Sequence, residues 1–247
     1  MHDALFVAAA ALCSPEPDRV EAFGLKCYAV DKLLLPTVLR RRTSLTTRMA
    51  VTAAVHACRL AEVDASRLPS VFASVGGEIQ ITDALCRTLP DSEALVSPTQ
   101  FHNSVHNTTA GYWSIINQCQ FATSAIAAVD DTLAMGLLEA WSQLQQTQGD
   151  MLLVCYDENW PQYLAPPMGQ TAMACALVLS TQGGREQHKI ALPRTSRRNL
   201  TIKQELLQFM QATPAAAVIP LLQALQSQSD KLIPLNYSGL RWYTQLV

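Results

Sequence analysis

The sequence predicts an α/β fold, a layered α/β/α arrangement with helices covering a sheet. Three observations carry this. Over roughly the first 180 residues, short apolar runs alternate with segments whose apolar residues recur at helical spacing. The run "DMLLVCYD" (150–157) is apolar without polar alternation, as in a strand covered on both faces. The composition is rich in core material, with 49% hydrophobic and only 15% charged residues in 247, against about one quarter charged in an ordinary globular chain.

The elements follow in order. Residues 4–12 read as a strand ended by "SPEPD". The opening "MHDALFVAAAALCSPEP" carries an acid, no Lys or Arg, and no A-x-A site, so it is expected to be a buried first strand rather than a leader. Residues 44–61 read as a helix with Ser44 at its N-cap and an apolar stripe of Met49, Ala53, Ala57 and Leu60. A short strand at 71–75 stops at Gly76-Gly77, and "EIQITDALCRTL" reads as a helix ended by Pro90. "SPTQFHNSVHN" reads as a loop, 108–118 as a helix, 123–129 as an apolar strand and 131–146 as a helix. After 150–157 come a Pro-rich loop (157–169) and a strand at 171–179. Beyond residue 181 the pattern changes: "STQGGREQHK" is a polar turn, "KIALP" an edge strand, and 201–211 and 214–227 short helices.

The bulk numbers exclude several classes. A net charge of −2 and a pI of about 6.2 give no footing for nucleic acid or an acidic membrane. No apolar run reaches the ~18 residues of a membrane span. Seven widely spaced cysteines without C-x-x-C point to buried thiols in a reducing cytoplasm rather than disulfides or zinc. The low charge implies a surface covered by a partner.

Candidate chemistry is sparse. His102 and His106 stand four apart, as in a helical metal pair, but in a loop and without a third ligand, so no metal is expected. His106 and Asn107 read instead as hydrogen-bonding groups of a turn that starts the next helix. His56 reads as a core histidine. Arg40, Arg41, Arg42 and Arg48 form a basic cluster, either a docking point for an acidic carrier protein or partner, or a solvated helix entry. The glycine pair is weak evidence for a phosphate cradle, and no nucleotide-binding or nucleophile-elbow motif occurs. In "SAIAAVDDTLAMGLLEA" (124–140) a strand turns into a helix at Asp130 and Asp131. These read as an acid–base pair, or as an N-cap (Asp130) followed by a first-turn anion (Asp131).

Taken together, "RRRTSLTTRMAVTAA", "VFASVGGE", "SPTQFHNSVHNTTAGYWSI", "TSAIAAVDD" and "GDMLLVCYDE" resemble the N-terminal half of β-ketoacyl synthases, the thiolase-like condensing enzymes. The match covers about residues 1–180. "SVHNTTAGYWSI" looks most like the short synthase-like proteins of aryl polyene and related type II polyketide or fatty acid systems. The resemblance implies a single truncated thiolase-like domain over 1–247, with 181–247 a divergent tail packed on it. It puts Asp130 where active synthases carry the acyl-accepting cysteine, with Asp131 after it. It also requires two C-terminal histidines, whereas the only histidine past residue 107 is His188, in neither motif. A carboxylate is a poor thioester acceptor, so no catalysis and no cofactor are expected.

A synthase-like chain without this machinery resembles a chain length factor, which pairs with an active β-ketoacyl synthase and meets acyl carrier protein only indirectly. The resemblance then implies a partner seam along Thr123, Ser124, Ala125, Ile126, Ala127, Ala128 and Val129. It also implies tunnel-lining roles for Ile79, Ile81 and Leu85. The alternatives are an Asp130-dependent decarboxylase or hydrolase and a stand-alone acyl or carrier-protein binding module.

Overall fold

The computed structural model describes residues 3–90, 95–164, 170–183, 188–196, 201–229, 231–237 and 241–247. The chain begins with β1 (Ala4–Ser14), α1 (Pro17–Glu21), β2 (Cys27–Ala29), α2 (Thr37–Arg40) and α3 (Leu45–Leu60). It continues through β3 (Ser70–Ala73), α4 (Ile79–Thr88), α5 (Pro98–Asn103), α6 (Thr108–Asn117), β4 (Thr123–Ile126) and α7 (Thr132–Thr147). Then come β5 (Asp150–Asp157), β6 (Met173–Ser180), β7 (His188–Ala191), β8 (Arg194–Ser196), α8 (Gln204–Ala212), α9 (Ile219–Ser227), β9 (Ile233–Pro234) and β10 (Arg241–Thr244).

The main sheet has the order β2-β1-β6-β5-β3-β4, with β7 also paired to β1. Strands β5, β3 and β4 are parallel, and β6 runs antiparallel to both β5 and β1. Alternation along the strands sends side chains into two cores. Phe72, Leu152, Val154 and Tyr156 pack with α3 and Trp113 of α6. Val71, Ala73, Leu153 and Cys155 pack with α7, α8, α9 and the tight turn Pro214–Val218. Residues of the tail therefore cover one face of the sheet; Ala216, Val218, Ile219 and Leu221 are fully buried there. A second, three-stranded antiparallel sheet, β8-β10-β9, closes the tail.

Ser44 caps α3 as the sequence predicts, accepting from the Thr47 amide at 2.9 Å. The segment read as a loop at 97–107 contains α5, because Ser97 caps it and Pro98 occupies its first position. The strand read at 123–129 ends at Ile126, where the backbone turns. The helix read at 214–227 breaks in two, since Pro220 has no amide to continue the ladder. The "KIALP" edge strand is β7, one residue earlier than read. Parts of three readings (the 157–169 loop, the "STQGGREQHK" turn and "GLRWYTQLV") lie outside the described residues. His56 is not in a core: it is half-buried and stacks on Tyr28 with ring centroids 3.7 Å apart.

Helix α7 lies close on the sheet because Gly136 has no side chain. A Cβ there would sit 3.1 Å from both Ala73 Cβ and Leu153 Cδ1. Gly136→Val is therefore expected to destabilise the fold by about 1–3 kcal/mol, read as a lower urea midpoint.

Candidate functional site: the elbow at the sheet edge

The parallel strands β3, β4 and β5 end on one side of the sheet, where α/β folds place their sites. Strands β3 and β5 continue into 74–78 and 158–164, which lie side by side there, and β4 continues into 127–131. The first is the glycine loop. Asp157, the last residue of β5, accepts from Ser74 Oγ at 3.0 Å and the Val75 amide at 2.8 Å, with the Gly76 amide at 3.4 Å. The Gly77 amide donates to Ser74 Oγ at 2.8 Å. Gly77 has φ +56° and lies against His106, whose Nε2 is 2.9 Å from the Ser74 carbonyl. The loop's amides are thus committed to Asp157 and Ser74, which leaves no phosphate cradle.

Buried acids surround this loop. Glu78 is 1% exposed, and its Oε1 accepts from Ser44 Oγ at 2.7 Å, Thr47 Oγ1 at 2.6 Å and Thr109 Oγ1 at 3.3 Å. Burial raises its pKa, and the three hydroxyls oppose that rise. Burial pushes Asp157 up to about 6 against its hydrogen bonds. Glu158, which accepts from the Gln80 amide at the start of α4, is pushed up to about 7, again by burial. The sequence reading missed this cluster; its one signal was "DE" at the end of an apolar strand.

The elbow comes next. Its left-handed residue is Val129, with φ +49°, so the apex lies one residue before Asp130. Thr132 ties the turn: its Oγ1 accepts from the Ala128 amide at 3.0 Å and donates to the Val129 carbonyl at 2.7 Å. Neither Asp130 nor Asp131 caps α7 with its side chain, contrary to the cap reading. Both carboxylates turn instead to the tail. Asp131 Oδ1 accepts from Asn236 Nδ2 at 2.6 Å, and the Tyr237 hydroxyl bonds Asp130.

The remaining candidates are dispersed. His102 packs edge-on against Tyr112 while His106 points at Ser74, so the two rings diverge. Asn107 makes no side-chain cap at α6, contrary to its expected turn role. His188 lies in β7, five strand steps from β4 through β1, β6, β5 and β3, which at strand spacing is roughly 24 Å. Burial raises the pKa of Cys13, Cys27, Cys58, Cys155 and Cys175, and six of the seven cysteines are buried, Cys86 alone being exposed. Ile79 and Ile81 are half-buried and Leu85 buried on α4. Arg48 donates to the Arg40 and Thr43 carbonyls at 2.5 and 2.7 Å, and Arg40 to the Leu35 carbonyl at 2.9 Å. Arg41 and Arg42 are exposed.

A family model described as the β-ketoacyl synthase N-terminal domain matches residues 19–243. The chain belongs to that family. Solved structures agree on the fold. The ketosynthase ApeO in complex with its chain length factor ApeC, from Xenorhabdus doucetiae, matches with TM-score 0.72 and 19% identity over 98% of this chain and 99% of that one. The ishigamide ketosynthase/chain length factor matches with TM-score 0.60 and 13% identity, over 90% and 73% of the two chains. A β-ketoacyl synthase from Burkholderia phymatum matches with TM-score 0.57 and 12% identity, over 89% and 71%. No curated protein matches the chain. The elbow consists of Ala128, Val129, Asp130 and Asp131, with no thiol among them. Among the described residues no helix is long and apolar enough to cross a membrane.

Proposed function

We propose that the chain is a chain-length-factor-like, non-catalytic subunit that pairs with an active β-ketoacyl synthase in a cytoplasmic aryl polyene or related type II polyketide system. The observation that carries this reading is an elbow without a nucleophile at the open edge of the sheet. Among the described residues β4 pairs only with β3, which leaves its outer edge for the matching strand of a partner, and Thr123, Ala125, Ala127 and Val129 are exposed beside it. Edge backbone groups give register, and methyl-sized side chains allow close approach. The description of the first structural relative as a ketosynthase with its chain length factor supports the same assignment.

On this reading α4 borders the partner's acyl tunnel through Ile79, Ile81 and Leu85, and carrier protein meets the complex chiefly through the synthase. Arg41 and Arg42 are the basic residues available for docking, since Arg40 and Arg48 are engaged with backbone carbonyls. Co-expression with the neighbouring synthase followed by size exclusion tests the pairing: a 1:1 complex is expected, and separate elution with a fully active synthase counts against it. Robust malonyl- or acyl-carrier-protein turnover by the chain alone, lost in Asp130→Ala, would replace the reading with the enzymatic one. Ile81→Trp is expected to shorten the product without dissolving the complex, by mass analysis of extracted product; unchanged length removes α4 from the tunnel.

A further inference from the structure

Among the described residues five non-glycine residues have a positive φ: Glu62, Gln118, Val129, Gln148 and Gln228. Gln118 and Gln228 are left-handed helix C-caps and Glu62 directly follows the end of α3, where this conformation is routine, while Gln148, the C-cap of α7, combines its positive φ with an extended ψ of 170° at a helix end. Val129 is different. It is β-branched, it stands before a helix, and its φ is +49°, a conformation that crowds a branched side chain. The residue is 69% exposed, so the strain is not repaid by burial within this chain. Such strain persists only where the surroundings over-determine the backbone.

The surroundings include the tail. Asn236 is 4% exposed and follows the fully buried Leu235, whose amide bonds the Trp242 carbonyl at 2.9 Å across the small sheet. From that fixed point Asn236 reaches Asp131 and Tyr237 reaches Asp130, two residues and one residue beyond the strained apex. The two acids, which carry no cap, are the attachment points.

We propose that Asn236 and Tyr237 are positioning residues that hold the elbow in its strained form, so that Val129 is presented across the seam to the synthase partner. The partner half of this inference rests on the pairing reading above; the fastening half does not. The occupant of Val129 is an apolar surface of that synthase beside its own seam strand. Val129 lies three residues beyond the end of the edge strand β4, so a strand paired on that edge brings partner surface to it.

Two measurements on the full chain test it. Hydrogen exchange at amides 127–131 is expected to speed up about tenfold or more in Asn236→Ala/Tyr237→Phe, with Tyr237→Phe alone as the milder variant should the pair disturb folding. Unchanged rates in both variants overturn the fastening. Val129→Gly is expected to raise Tm by a few degrees, because glycine takes this backbone without strain. It is also expected to weaken synthase binding about tenfold or more, with Leu60→Ala, exposed on α3, unchanged in both respects. Binding of Val129→Gly within about twofold of the parent chain overturns the contact. Failure of the parent chain itself to bind any synthase counts against the pairing reading, and the exchange experiment still decides the fastening.

Discussion

Ala125→Arg is expected to abolish association with the synthase while leaving the fold intact. Along β4 the side chains alternate, with Ser124 and Ile126 half-buried and Thr123 and Ala125 exposed. Ser124 is bonded by Gln143 at 2.9 Å and donates to Glu139 at 3.1 Å, so one face of the strand is committed to α7. Ala125 is exposed on the other face, so arginine there can reach solvent in the isolated chain. In a seam built for methyl groups the guanidinium would be buried without a partner, and an unpaired buried charge costs about 3–5 kcal/mol, or two to four decades of affinity. Size exclusion of the co-expressed pair reads the loss, and circular dichroism checks the fold. Ala125→Ser should retain the complex. A stoichiometric complex with Ala125→Arg would remove β4 from the interface.

A second large effect is expected from pH. Asp157 moves from the ordinary 3.8 to about 6 and Glu158 from 4.5 to about 7, both raised by burial. The folded chain therefore holds these protons more tightly than the unfolded chain. Their contribution to stability is fully present below about pH 4, falls as pH rises through about 4 to 7, and stays lost above. For Asp157, 3% exposed, two units correspond to about 3 kcal/mol at most. Asp64 and Asp83 have lowered values, each through side-chain hydrogen bonds, and act in the opposite sense only below about pH 4. Tm should therefore be higher near pH 5 than near pH 8. Asp157→Asn should flatten much of the difference, since an amide oxygen still accepts from Ser74 and Val75. A Tm that rises over the same interval would show that these acids are ionised at little cost.

What could be read beforehand follows the range of the forces involved. The N-cap at Ser44, the helix 131–146 and the doubly covered strand 150–157 depend on neighbours in sequence, and they stand within a residue or so of the reading. The helix at 98–103 was missed although its signals, Ser97 and Pro98, were local; its six residues are too few to show a period. The glycine loop was visible as "GG", but its closure by Asp157 depends on a residue some eighty positions away, brought alongside by β3–β5 pairing. Asp130 and Asp131 illustrate the same limit. A helix start explains an acid locally, so the sequence suggests a cap, yet both carboxylates bond residues of the tail more than a hundred positions away.

The sequence by itself determined the layered α/β/α class, the family resemblance and the absence of a thiol at the elbow, because periodicity, capping and residue identity are written along the chain. Only the tertiary structure decided that β4 lies at the sheet edge among the described residues, that Val129 rather than Asp130 stands at the apex, and that the tail covers one face and hydrogen-bonds both acids. Those features depend on which distant segments share a surface, and a backbone strain at one residue is set by contacts that no local pattern records.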